Sequence, residues 1–306
     1  MNFLQRASRG LARGLAGLLL FTFAGTAAHA DGGSVWSMKG KRNTVYLAGS
    51  VHALPDDQAE LSPALERAYD AADALVMEVD LDDMDPLEAV QFVAERGTLP
   101  PSESLEDVVG RERYGKIIKL ANSIDVPELA ITRLEPWAAA MVLTQFALVK
   151  SGFDPQLGID MQLTARAQAD GKPIDGLETV VDQLSIFDSR SMSEQTKFLV
   201  DAANDVPKMH EDLARLIEAW RKGDLRAMEH EFNKEREQAP ALYDQLLGAR
   251  NRKWVPKIEA LLNEERDYLV VVGTLHFVGR DGLLELLARD GHRPEPLPAT
   301  ADSPQR

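Results

Sequence analysis

A chain of 306 residues with no cysteine has no disulfide, thiolate ligand or thiol nucleophile, so its stability rests on a hydrophobic core. Its formal charge of −15 argues against nucleic acid or an anionic lipid surface as partner, since both require clustered Lys and Arg. The acidity says little about a substrate.

Residues 1–30 have the three parts of a secretory signal. Arg6, Arg9 and Arg13 give a basic start, Leu15 to Ala28 is apolar but too short to span a membrane, and Ala28-His29-Ala30 has the form of a cleavage site. Removal after Ala30 is expected, rather than retention as an anchor. With no Cys for lipid attachment, the destination is the periplasm or the medium. Without its three arginines the charge passes from −15 to −18, on a mature chain of 276 residues. That chain has no long apolar run and is expected to be soluble. Its length suits one large domain.

Ser34 to Met38 and Thr44 to Ala48 read as strands joined by a turn at Lys39–Asn43. Ser62-Pro63 supplies an N-cap and a first-turn proline for a helix to about Ala72. Ala74 to Val79 is the next strand, and a right-handed parallel crossover returns its carboxyl end beside that of the preceding strand. From Pro86 to about Gly171 the pattern is helical: Leu105–Val109 behind a Ser104/Asp107 cap, Arg111–Ser123, the apolar Pro136–Lys150, and Gly158–Ala169. Lys172 to Leu177 is a further strand. Ser193 to Gly248 is helical with a break at Gly223-Asp224, and Ala249–Asn263 is helical with a bend at Pro256. Tyr268–Val272 is the last main strand, and Asp281 caps a helix to Arg289. The fold class is therefore α/β (mixed α+β): a mostly parallel central sheet flanked by helices. A single domain spans 31–306, with a large helical insertion over about 86–265.

One short pattern occurs twice. Val45–His52 (VYLAGSVH) and Leu269–His276 (LVVVGTLH) each run from apolar residues to Gly, a hydroxyl residue, an apolar residue and His. Their histidines are 224 positions apart, so no local repeat explains them. In open α/β sheets ligands collect at the carboxyl ends of strands, where both imidazoles project. A lone strand-end histidine more often binds backbone; two in matched contexts point to metal or acid–base chemistry.

Glu78 ends an otherwise apolar strand and needs a partner, which a metal, a histidine or an arginine such as Arg250 supplies. Asp80 lies on the same strand face. Glu178, closing its own strand, reads equally as a site residue and as a helix-start acid favoured by the macrodipole, and Asp160 has the same second reading. Arg250-Asn251 opens a helix; it can meet an anionic group or an oxyanion, although a surface arginine is the default. His210, His230 and His292 read as solvated, and neither of the first two has the zincin helix spacing. The Met and aromatic residues of Trp137–Phe146 read as core packing. No nucleophile elbow, phosphate loop or dinucleotide fingerprint is present.

With these residues in view, the mature chain resembles the TraB/GumN family. That family includes the Tiki metalloproteases and is related more distantly to ChaN-like and erythromycin-esterase-like proteins. The likeness rests on GSVH at Gly49–His52, MEVD around Glu78, GID at Gly158–Asp160, DGLET at Asp175–Thr179 with Gln183, RN at Arg250-Asn251, and GTLHFVG at Gly273–Gly279. Ser50 stands where the first motif is expected to carry Thr. The resemblance implies a divalent-metal-dependent protease with His52, Glu78 and His276 at its centre. Combined with the residues above, it makes His52, His276 and Glu78 ligands of one ion: Zn, Mn, Co or Fe. Glu178 or Asp80 is then the general base, and Arg250 or Asn251 steadies the oxyanion. The substrate that the resemblance implies is a peptide or protein. Two alternatives stand beside it: a ChaN-like iron or haem binding protein without hydrolytic activity, and a degenerate site on an envelope interaction module.

Overall fold

The computed structural model describes residues 34–80, 82 and 86–298. The expected signal segment at residues 1–30 lies outside the described residues.

Strands β1 (Val35–Lys39) and β2 (Thr44–Ser50) form an antiparallel hairpin, followed by helix α1 (Pro63–Ala71) and β3 (Ala74–Val79). The Ser62 hydroxyl accepts the Leu65 N–H, and Pro63 occupies the first turn, so both local start signals act as the sequence implies. Helices α2 (Pro86–Arg96), α3 (Leu105–Val109), α4 (Arg111–Ser123), α5 (Pro136–Lys150) and α6 (Ile159–Asp170) follow. Strand β4 (Ile174–Glu178) then pairs with β3, so the interval 86–265 is divided by a strand of the sheet.

The second helical stretch comprises α7 (Val180–Asp188), α8 (Met192–Asp205), α9 (Met209–Arg221), α10 (Leu225–Gln238) and α11 (Pro240–Tyr243). It is interrupted at Val206–Lys208 and Ala239 as well as at Gly223-Asp224. A π-helical turn at Asp244–Gly248 leads into α12 (Ala249–Leu261), which continues through Pro256. The central strand β5 (Tyr268–Gly273), α13 (Leu283–Arg289) and a short edge strand β6 (Glu295–Pro296) complete the chain. Helix α13 has Gly282 at its N-cap and no side-chain cap, which corrects the expectation for Asp281.

The strand order is β4-β3-β5-β2-β1-β6, parallel from β4 to β2 and antiparallel at β1 and β6. β5 therefore lies between β2 and β3, where a direct neighbour pair was expected. Every residue of β5 is buried, the property of a strand covered on both faces. Leu269 and Val271 face a core built with α1, α6, α9 and α10; Val270 and Val272 face one built with α12 and α13. A third apolar cluster lies among α3, α4, α5 and α8. Among the described residues no helix is long and apolar enough to cross a membrane.

Candidate active site

The sheet register brings the motif residues together. Ser50 of β2 pairs with Gly273 of β5, and Met77 of β3 pairs with Val271, so the three carboxyl ends lie side by side. The two motif glycines are one residue out of step, because Gly49 faces Val272. Gly273 sits at the focus. A Cβ there would lie 3.2 Å from Glu78 Oε1, 3.4 Å from His52 Nε2 and 3.6 Å from His276 Cδ2. Any side chain at this position would crowd the space the three groups share.

His52 is held from one side. Its Nδ1 lies 2.8 Å from Asp160 Oδ2, and the other oxygen of Asp160 accepts the Ser50 hydroxyl at 2.8 Å. Asp160 reaches it because Gly158 lets the start of α6 close on the strand end: a Cβ on Gly158 would lie 2.4 Å from the His52 carbonyl oxygen. The ring keeps 69% of its surface exposed. The Asp160 charge raises its pKa from 6.5 to about 9 against the opposing effect of desolvation. His52 therefore carries a proton on Nε2 at neutral pH, with Nδ1–H donating to Asp160.

His276 is buried, with 3% of its side chain exposed. Its Nδ1 lies 2.6 Å from Asn251 Oδ1, and since a side-chain carbonyl only accepts, the ring's N–H is on Nδ1. The Asn251 amide group donates in turn to the carbonyls of His276 and Asp281, at 3.0 and 2.8 Å. Desolvation lowers the ring's pKa from 6.5 to about 3, with Glu78 opposing and Arg250 reinforcing, so the imidazole is neutral. Its Nε2 accepts from Arg250 Nη1 at 3.1 Å and lies 3.7 Å from Glu78 Oε1.

Glu78 accepts the Gly273 N–H at 2.6 Å on Oε1, and Arg250 Nη2 at 2.5 Å and Gln183 Nε2 at 3.1 Å on Oε2. Burial works to raise its pKa, but His276, Arg250 and His52 together lower it to about 2. Because His276 is neutral, the charges of Arg250 and His52, with the Gly273 N–H, hold this carboxylate ionised. Arg250 also donates from Nε to Glu178 at 2.9 Å and from Nη1 to the Leu246 carbonyl at 2.8 Å, and it lies over the Trp254 ring at 4.5 Å. Arg250 is thus a buried residue, not the surface arginine of the default reading.

Glu178 spends both oxygens on Arg250 and on Trp254 Nε1, the latter at 3.2 Å. A cavity of about 180 Å³ opens beside the cluster, lined by His52, Glu78, Val79, Asp160, Val180 and Gln183 among others. Neither Glu178 nor Asp80 lines it. Asn251 faces His276 and lies behind it. His210 and His230 are exposed, and His292 lies 3.5 Å from Glu259. Trp137 is buried as core packing requires, but Met141 and Phe146 on the same helix are 40% and 43% exposed.

Three contributors were given no role in the site from the sequence, although Asp160 was weighed there as a helix-start acid and Gln183 stood only in the family resemblance. Asp160 serves His52, Gln183 serves Glu78, and Trp254 packs on both Arg250 and His276, the latter with ring centroids 4.4 Å apart. Trp254 had a local signal that was not used, since it lies four residues after Arg250 on one helix face. Among the described residues no group of three or more His, Asp or Glu side chains is arranged to enclose a metal ion as it stands. Arg250 Nη1 holds the approach to His276 Nε2.

The sequence profile of the TraB/PrgY/gumN family matches residues 34–296. The uncharacterised protein YbaP of Shigella flexneri is 27% identical over 253 residues, covering 82% of this chain and 90% of its own. YbaP of Escherichia coli (strain K12) is 27% identical over 244 residues, covering 79% of this chain and 87% of its own. No solved structure matches the chain.

Proposed function

We propose that this chain, which belongs to the TraB/PrgY/gumN family, is an amide-bond hydrolase centred on His52, Glu78 and His276 and activated by a divalent metal ion. The observation that carries the reading is the convergence of the three side chains on Gly273, with each imidazole held at Nδ1 from outside. Metal-ligating histidines have that arrangement, one nitrogen inward and the other donating to an oxygen behind it.

The donor set suits a divalent ion in charge. Glu78, Glu178 and Asp160 outweigh Arg250 by two negative charges when both imidazoles are neutral. Imidazole and carboxylate donors accept Zn, Mn, Co or Fe. His52 Nε2 and Glu78 would hold the ion, joined by His276 Nε2 when Arg250 no longer donates to it. Such an ion supplies Lewis acidity toward water and an amide carbonyl.

The chain does the rest. Asp160 keeps His52 protonated at Nδ1 and its ring aimed inward, so that His52 would give up only its Nε2 proton to hold an ion. Asn251 fixes the same tautomer on His276. Glu178 and Trp254 position Arg250, which keeps Glu78 ionised beside the cavity. Export directed by residues 1–30 would put the reaction in the envelope.

The test uses the mature chain, residues 31–306, with Mn, Co or Zn and a mixed peptide pool. The expected result is metal bound in equimolar amount and chelator-sensitive cleavage, both lost in His52→Ala and in His276→Ala. Wild-type metal content and cleavage in both variants would end the reading.

A second reading is favoured by the Arg250–His276 hydrogen bond, which already puts a cation at the centre. Under it the same residues hydrolyse without metal, with protonated His52 donating to the leaving group. Cleavage that persists in chelator selects it. The haem-capture alternative has less support, because the cavity of about 180 Å³ falls below the roughly 300–1,000 Å³ of ordinary ligand pockets.

A further inference from the structure

The cavity beside the candidate centre has few polar atoms left to offer. Among the side chains that line it, Met77, Val79 and Val180 are apolar. Both oxygens of Asp160 are engaged, one with His52 and one with the Ser50 hydroxyl. Glu78 already accepts from Gly273, Arg250 and Gln183. Two unspent atoms remain, Nε2 of His52 and Oε1 of Gln183, neither with a hydrogen-bond partner among the described residues.

The orientation of the Gln183 amide follows from its neighbour. An ionised carboxylate only accepts, so the NH₂ group faces Glu78 Oε2 at 3.1 Å and Oε1 lies at the other end. That oxygen is not enclosed. The buried side-chain atoms without a partner lie elsewhere, so Oε1 keeps a surface that a ligand can reach. Nor is the side chain loosely placed. The Thr179/Asp182 capping box starts α7 directly after β4, and it sets Val180 and Gln183 on one helix face against the cavity.

The strand order supplies a direction. Strands β4, β3, β5 and β2 follow one another across the sheet, so Gln183 stands beyond one end of the row and His52 beyond the other, with Glu78 and Gly273 between them. Three interstrand spacings span about 14 Å, the length of roughly four residues of extended peptide. A peptide laid along that row presents backbone N–H groups that need acceptors, and Gln183 Oε1 is an acceptor with nothing else to bind.

We propose that Gln183 is a specificity-determining residue whose Oε1 accepts a backbone N–H of a peptide laid across the strand ends, close to the bond offered to His52 and Glu78. The inference rests on the hydrolase reading and narrows its substrate class to peptides with a secondary amide at that position, which excludes proline or an N-methylated residue there.

The experiment titrates metal-free residues 31–306 with blocked trialanine (N-acetyl, methylamide) and with its four singly N-methylated forms, followed by backbone amide NMR. The expected result is one N-methyl form that binds about fivefold more weakly than the parent, the scale of one neutral hydrogen bond, and whose penalty vanishes in Gln183→Met. Gln183→Ala is the second variant, with the same expectation. A merely structural role for Gln183 weakens every probe alike and leaves the penalties standing, as does a steric clash of the added methyl group with another part of the cleft. Penalties that are the same in wild type and in both variants at all four positions, or no binding of any probe, overturn the proposal. The peptide pool with Mn, Co or Zn separates this inference from the reading beneath it. Cleavage by wild type with unaltered penalties removes the role of Gln183 and leaves the hydrolase. A penalty that vanishes in the variants, with no cleavage by wild type, removes the hydrolase and leaves a cleft that binds peptides through Gln183.

Discussion

The two Gly-x-x-His segments deliver the same residue types to the same sheet edge and meet opposite surroundings. The first ends on a helix start, where Asp160 takes one nitrogen of His52 and leaves the ring largely in solvent. The second turns inward beneath α12, where Asn251 takes the matching nitrogen of His276 and Trp254 covers the ring. A carboxylate behind one ring raises its pKa to about 9, whereas burial beside a neutral amide lowers the other to about 3. Motif identity therefore decides where an imidazole arrives, and the residue behind it decides its charge.

The contrast has energetic consequences. Arg250 lies on the buried side, paired with Glu78 and Glu178. Arg250→Met leaves two carboxylates without their cation and should cost about 3–5 kcal/mol in urea unfolding at neutral pH. Asp160→Asn should cost less, about 1–2 kcal/mol, because the His52 ring it pairs with is largely in solvent although Asp160 itself is not. Equal costs for the two variants would mean that the surroundings are not as unlike as described. Asp160→Asn should still move one quantity strongly: the His52 titration followed by NMR, which falls from about 9 toward the ordinary 6.5.

The pH dependence of stability separates the same two rings. The folded chain keeps a proton on His52 that the unfolded chain releases between 6.5 and about 9, so this contribution is full below 6.5 and lost as pH rises through 9. The folded chain refuses a proton at His276 that the unfolded chain accepts below 6.5, so stability also declines as pH falls from 6.5 toward about 3. In His52→Ala the alkaline decline should flatten and the acidic one remain. Loss of both, or of neither, would contradict the assignment.

Local rules carried much of the fold. Ser62-Pro63 and the Ser104/Asp107 capping box mark their helices because a cap is a contact over three residues. The position of β5 between β2 and β3 could not be read that way, since it depends on segments some two hundred residues apart finding one another. The same divide runs through the site. An acid ending an apolar strand identifies Glu78 as a group in need of a partner, and matched Gly-x-x-His runs identify the two histidines. Asp160 and Gln183 look like ordinary helix-start residues until the chain is folded, because each meets its partner across more than a hundred residues. Arg250 was legible as a partner for Glu78 but not as a buried residue. A helix-opening arginine is normally solvated, and only the arrival of Glu78, Glu178 and Trp254 makes this one a buried cation.

The decisive observation is a zinc titration of metal-free residues 31–306 at pH 7, with both histidine ring signals followed by NMR. If His52 and His276 belong to one centre, both signals move together and saturate at equimolar zinc, and His52→Ala abolishes the response of His276. If the rings respond at different zinc concentrations, or His276 stays silent while exposed His210 and His230 respond, the shared centre is refuted.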